Sequence, residues 1–180
     1  MHAIERAYVA AATGGSPPRG GSQDRKRALA ALGAIASRYL AVGTPRTLGL
    51  VADASTTEDA ITSVLAHRAF FRIPAVRCAT PEAVAVSVNG VITSIDEALA
   101  CDIVCLHVPI ELRAVQLRRG THVNVLAGAQ LDDDLASLAT VVHEVPGLGQ
   151  LAAGLVDGRQ LDELTVFIAG DAAIALGALA

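Results

Sequence analysis

Three histidines, His107, His122 and His143, fall on or beside apolar runs that read as strands. An imidazole near a carboxylate is the equipment of a general base or of a zinc site. Glu111 and Glu144 follow His107 and His143 closely, and both pairs are expected near the carboxyl ends of their strands. His122 is expected at the opposite end of its strand, and no HxxxH or HxH spacing occurs. No metal site is therefore expected. His67 stands beside Arg68 in a helical stretch and reads as solvated. Cys101 and Cys105, at CxxxC spacing across a strand start, read as buried small apolar side chains. No G-x-S-x-G, Walker A or Cys–His pattern is present, so no catalytic position is assigned.

The elements that must position these residues alternate. A helix is expected from Asp24 to about Ala41, with Leu29, Leu32, Ile35, Ala36 and Leu40 on one face, ended by Gly43 and Pro45. Strands follow at Thr47–Ala52, Ile73–Cys78, Val91–Thr93, Asp102–Val108, His122–Ala127, Thr140–Val145 and Leu164–Ile168. Helices are expected at Ser55–Phe71, Thr80–Val88, Ser94–Ala100, Leu131–Leu138, Leu148–Val156 and Asp171–Leu179. Ser94 with Glu97 three residues on reads as a capping box. Strands separated by helices imply an α/β fold: a doubly wound, mostly parallel sheet in a three-layer α/β/α sandwich of Rossmann type. In such a sheet a ligand binds outside the carboxyl ends of the strands, where the strand order reverses. The loops Ala52–Thr57 and His107–Glu111 flank that place.

Composition bounds the rest. The 180 residues suit one domain, read as a flexible Pro/Gly-rich tail over 1–24 and a Rossmann-like domain over 25–180. A net charge of −4 without clustered Lys and Arg argues against a nucleic-acid surface. Three cysteines with no pairing pattern argue against a disulfide framework and for a reducing, cytoplasmic setting. No basic stretch leads into an apolar run at the amino terminus, and Ala28–Val42 is too short and polar to span a bilayer, so no signal peptide or membrane segment is expected.

Four segments, in order, resemble the ornithine cyclodeaminase / mu-crystallin family of NAD(P)-dependent proteins. Arg27 to Leu32 through Arg38-Tyr39-Leu40 is similar to the helix leading into that family's nucleotide domain. Arg46 to Val51 is similar to its first strand. Leu117-Arg118-Arg119-Gly120-Thr121-His122-Val123-Asn124 is similar to its "L-x-P-G-T-H-V-N". Gly154 to Arg159 and Asp162 to Phe167 are similar to its "G-x-x-x-G-R … D-E-I-T-V-F". The resemblance covers about residues 25–180, and the family's preceding half, which the resemblance implies for substrate binding and dimer contact, has no counterpart here.

The departures carry the functional expectation. The family's G-x-G-x-Q after the first strand lets a pyrophosphate approach the backbone. Here those positions read Ala52-Asp53-Ala54-Ser55. An added Cβ narrows the approach and disfavours positive φ. Ser55-Thr56-Thr57-Glu58 reads as a capping box, and Asp53, Glu58 and Asp59 set negative charge where the helix dipole would draw an anion. Ala52, Asp53, Ala54, Ser55, Thr56 and Asn124 are thus cofactor positions by resemblance only, expected to be non-functional. The acidic ribose partner expected at the end of strand two is replaced by Arg77-Cys78-Ala79. The family's T-A-T-P-S becomes Leu106-His107-Val108-Pro109-Ile110, and its acid/base Asp falls on Ala129. The expectation is a non-catalytic Rossmann protein without a cofactor, acting as a structural, adaptor or regulatory subunit in a homo-oligomer or with another protein. The alternative is an NAD(P)-binding oxidoreductase, cyclodeaminase-like enzyme or nucleotide sensor.

Overall fold

The computed structural model describes residues 25–41, 43–158 and 162–169. The expected tail over 1–24 and the expected helix Asp171–Leu179 lie outside these residues. The main sheet has seven strands, and every pairing in it is parallel. They are β1 (Thr47–Val51), β2 (Ala75–Ala79), β3 (Val91–Ile92), β4 (Ile103–Leu106), β6 (His122–Val125), β8 (Thr140–His143) and β9 (Thr165–Ile168). Their spatial order is β3-β2-β1-β4-β6-β9-β8, so the order reverses between β1 and β4 and the sheet is doubly wound. The expected strands are all present, with small shifts. Ile73 was expected to open the second strand, but Pro74 has no N–H to donate and the ladder begins at Ala75.

The strands alternate between two apolar faces, as parallel strands buried on both sides must. Leu48, Leu50, Val76, Cys78, Ile103 and Cys105 face α2 (Thr57–Arg68) and α3 (Glu82–Ser87) through Ala60, Val64, Val84 and Ala85. Val51, Val104, Leu106, Val123, Val125 and Val166 face α4 (Ile95–Leu99) and α5 (Asp133–Leu138) through Ala98, Leu99 and Leu135. Helix α1 (Arg25–Leu40) lies against α2, β6 and β9 and buries Leu32, Ile35, Ala36 and Leu40 against Phe167 and against Leu148 and Leu151 at α6 (Gly149–Ala153).

Gly49 explains how closely the layers pack. A Cβ there would lie 1.9 Å from the Ala98 carbonyl oxygen, so only glycine lets α4 cross β1. The Ser94 cap of α4 forms as expected: its hydroxyl accepts the Glu97 N–H at 3.2 Å and the Glu97 carboxylate accepts the Ser94 N–H at 3.2 Å. At the other end of β1, the Asp102 carboxylate accepts the Arg46 and Thr47 N–H groups at 2.9 Å each, and the Thr47 hydroxyl accepts the Asp102 N–H at 2.8 Å. A short parallel pair, β5 (Glu111–Leu112) with β7 (Gln130–Leu131), was not expected; two residues are too few to show a period.

Candidate functional site

The loop after β1 and the start of α2 form the part of the cleft that would meet a phosphate. The chain leaves the sheet at Ala52, whose N–H still bonds the Ala79 carbonyl at 3.3 Å. Asp53 is extended, with φ −111° and ψ −173°, and Ala54–Thr56 form a 3-10 turn that leads into α2. The Asp53 Oδ1 atom accepts four hydrogen bonds: the Ser55 N–H at 2.8 Å, the Ser55 hydroxyl at 2.7 Å, and the Thr56 N–H and hydroxyl at 3.1 Å each. The Asp53 N–H is directed at the Thr56 hydroxyl oxygen at 3.1 Å. This is a capping box, but it opens at Asp53 and closes at Thr56, two residues before the expected Ser55–Glu58 pair. The 3-10 turn starts the helix early, so the carboxylate of Asp53 reaches the first free N–H groups. The Ser55 hydroxyl, with the Ser55 and Thr56 amides and the Thr56 hydroxyl, holds the Asp53 carboxyl below its ordinary range against the opposing effect of desolvation. An anion is therefore already seated at this helix start, and it belongs to the chain.

Asn124, the other cofactor candidate, is fully buried on β6, and its amide is used inside the fold. Its Nδ2 donates to the Ser37 hydroxyl at 2.8 Å, and its Oδ1 lies 3.1 Å from His122 Nε2. His67, expected in solvent, is instead completely buried, because α2 turns Ala60, Ser63, Val64 and His67 together toward the sheet. Its Nδ1 lies 2.8 Å from the Ser63 carbonyl, which can only accept, so Nδ1 carries the hydrogen. Its Nε2 then accepts, 3.0 Å from the Ser37 hydroxyl and 3.4 Å from Asn124 Nδ2. Burial brings the His67 pKa down to about 4.

His107 and His122 are separated as expected. His122 pairs with Ile103 and Thr165 at the amino ends of their strands, and its Nδ1 lies 2.8 Å from the Thr165 hydroxyl. Burial brings its pKa down to about 3. His107 follows β4 at the carboxyl edge, its N–H bonded to the Val51 carbonyl at 2.9 Å. It is 4% exposed, and its Nε2 has no hydrogen-bond partner among the described residues. Burial, then the nearby His67, brings its pKa down to about 4. His143 ends β8, three strands away from β4, which at about 4.8 Å per strand is roughly 14 Å. The two cannot share an ion, and no group of three or more ligating side chains occurs among the described residues. Cys101 and Cys105 are free and buried, and burial pushes the Cys105 thiol up to about 12.

A groove of about 450 Å³ opens where β4 and β6 end, lined by Pro109, Ile110, Glu111, Gly128, Ala129 and Gln130. The β5–β7 pair joins its two walls. Ala129, the position where the resemblance sets an acid, thus does face a cavity. Glu111, which also lines the groove, is exposed and paired with Arg113 at 3.1 Å. Arg77 is exposed on β2, two residues short of the strand's end at Ala79. Sequence reasoning set a ligand place beside His107–Glu111, whose Pro109, Ile110 and Glu111 line this groove, but missed the Ser37–His67–Asn124–His122–Thr165 chain. The one available signal was Ser37, a polar residue set within the apolar face of α1.

No family model matches this sequence, and no curated protein matches it. Solved structures do match its fold. An archaeal alanine dehydrogenase dimer with bound NAD matches at TM-score 0.67 and 22% identity over 84% of this chain and 60% of that one. The Δ1-pyrroline-2-carboxylate reductase of Thermococcus litoralis, in complex with NADH and L-proline, matches at TM-score 0.64 and 19% identity over 84% of this chain and 63% of that one. A probable ornithine cyclodeaminase from Bordetella pertussis Tohama I matches at TM-score 0.66 and 20% identity over 86% of this chain and 64% of that one. This chain spans less than two thirds of the length of each. It has the Rossmann-type α/β fold found in ornithine cyclodeaminase-like NAD-binding proteins.

Proposed function

We propose that this chain is a non-catalytic Rossmann domain, closed to dinucleotides at its first turn, that works through protein contacts as a structural, adaptor or regulatory subunit. The observation that carries this reading is Asp53. Its carboxylate takes the Ser55 and Thr56 N–H groups that a pyrophosphate would need. A phosphate brought to this turn would also meet that charge, at a cost of roughly 1 kcal/mol at 4 Å in water and several times more in a partly dry cleft. Ala129 in the groove supports the same reading, since a methyl group can neither donate nor accept a proton. A homo-oligomer or a complex with another protein follows, and light scattering at micromolar concentration tests it, a clean monomer counting against self-association.

The second reading is an NAD(P)-dependent oxidoreductase or cyclodeaminase-like enzyme. Two of the structural neighbours carry NAD or NADH, and the groove at the ends of β4 and β6 lies where a doubly wound sheet takes ligands. Calorimetry with NAD+, NADH, NADP+ and NADPH separates the two. The wild-type chain is expected to bind none of them at micromolar concentration, and the A52G/D53A/A54G variant is expected to bind at least tenfold more tightly. Micromolar binding by the wild type would put the enzyme reading first.

A further inference from the structure

One edge of the main sheet is open. Strand β3 pairs with β2 alone, and its outer side meets no strand among the described residues. The Thr93 N–H bonds the Cys78 carbonyl at 3.0 Å, so the Thr93 backbone faces β2, and the alternation of a strand turns the Ile92 N–H and C=O outward. An outward donor and acceptor are what a further strand needs. Val91 is 70% exposed and Ile92 55%, and Val86 on α3 and Ile95 on α4, the helices before and after β3, are exposed as well. The usual protections of an edge, a lysine, a proline or a charge, are missing from Gly90-Val91-Ile92-Thr93.

Charge divides along this edge. At the amino end of β3, Arg68 donates to the Val88 carbonyl at 2.9 Å, and Arg72 is exposed just before β2. At the carboxyl end, Glu82 opens α3 while Asp96 and Glu97 stand in the first turn of α4, all three exposed. Glu97 is engaged in the Ser94 cap, which leaves Asp96 to reach outward.

We propose that β3 is a self-association edge: it pairs antiparallel with β3 of a second copy across a two-fold axis at Ile92, continuing the sheet from one chain into the next.

The charges select this occupant and this direction. A two-fold axis reverses the second strand, so the acidic end of each copy meets the basic end of the other. Asp96 follows Ile92 by four residues and Val88 precedes it by four. Asp96 of one copy therefore comes to the end of the edge where Arg68 of the second copy holds the Val88 carbonyl. The match is made twice, once on each side of the axis, as a self-complementary contact requires. Two copies side by side in parallel would set acid against acid. At the axis the two Ile92 residues exchange both backbone hydrogen bonds, and the aliphatic side chains on this flank leave water together. The assignment rests on the reading of this chain as one that works through protein contacts, and names the surface for a homo-oligomer.

Sedimentation velocity at micromolar concentration reads the assembly. The wild type is expected to be a dimer that weakens as salt rises. Ile92→Lys should weaken association at least tenfold with the circular dichroism and the thermal melt unchanged, because the side chain lies at the surface. Asp96→Arg should weaken it at least tenfold at low salt, and Arg68→Glu added to Asp96→Arg should restore most of the loss, which damage to the fold would not do. Ile92→Cys should link two copies on oxidation, since directly opposed residues with Cα atoms about 5.5 Å apart lie within disulfide range. Val115→Cys, at a site 89% exposed beyond β5, controls for chance collision, and the native thiols are buried. A wild-type monomer overturns the proposal and gives the edge to residues 1–24 of this chain or to another protein. A dimer that Ile92→Lys and Asp96→Arg leave intact, or one that Ile92→Cys links no faster than Val115→Cys, also overturns it, while the reading through protein contacts survives.

Discussion

Asp53 Oδ1 lies 2.8 Å from the Ser55 amide nitrogen, so an N–H at the start of the turn after β1 is answered by a carboxylate two residues earlier in the same loop. Removing that carboxylate should have two separable effects. Asp53→Ala should lower stability, since the Ser55 and Thr56 N–H groups lose their acceptor. Sulfate or phosphate should then recover part of it, because the exposed N–H groups and the helix dipole accept an anion. Denaturant melts with and without sulfate measure both. No recovery, or equal recovery in the wild type, would mean that the loop does not act as an anion seat.

Gly49→Ala should be among the most damaging single changes. The new methyl would sit 1.9 Å from the Ala98 carbonyl oxygen, and neither β1 nor the capped α4 can move aside alone. A cost above about 3 kcal/mol is expected, beyond the common range for overpacking. Gly43→Ala, at φ +62° with open space around it, makes the comparison, since only its backbone conformation is at issue. Equal losses at the two sites would show that the α4–β1 contact is looser than its geometry.

How much of this was legible beforehand differs by level. Strand positions followed from apolar runs such as Thr47–Val51 and Ile103–Leu106, which are buried on both faces and so show no polar interruption. The Ser94–Glu97 box was legible because both partners lie in the sequence motif itself. The Asp53 cap was half legible: charge at the turn was evident, but not which residue turned its oxygen inward. His67 was misread because a histidine beside an arginine looks solvated until the helix face is known. Asn124 and Thr165 lie 41 residues apart and meet through His122 only once β6 and β9 pair, so no local pattern could announce them.

Acid should weaken the whole fold. His67 and His107 titrate at about 4 and His122 at about 3 when folded, against 6.5 when unfolded. The unfolded chain therefore binds more protons below pH 6.5, and folded stability must fall as pH drops through that window. Their contribution is present above pH 6.5 and is lost progressively toward pH 4 for His67 and His107 and toward pH 3 for His122. At pH 5 the loss is on the order of 2 kcal/mol for one such ring taken alone, a large share of the stability of a small domain. Urea melts at pH 7.5, 6 and 5 should show the loss, and His122→Gln should reduce its slope by about one third. A stability that is flat from pH 7.5 to pH 5 would contradict the burial of all three rings.

The last expectation concerns the groove and its order of dependence on the loop. Ala129 and Glu111 both line it, the one unable to exchange a proton and the other paired with Arg113 at 3.1 Å. The wild-type chain is expected to turn over neither ornithine, alanine nor a cyclic ketimine with either nicotinamide cofactor. Ala129→Asp alone should change nothing, because a carboxylate in the groove is idle while Asp53 keeps a dinucleotide from the helix start. Combining it with A52G/D53A/A54G tests whether the two deficits are stacked: binding should appear with the loop changes, and any turnover only with all four. Turnover by the wild type that disappears in Glu111→Gln would reverse the argument. It would show that the proton-transfer role had moved across the groove to Glu111, and that Asp53 yields its N–H groups to a phosphate when one arrives.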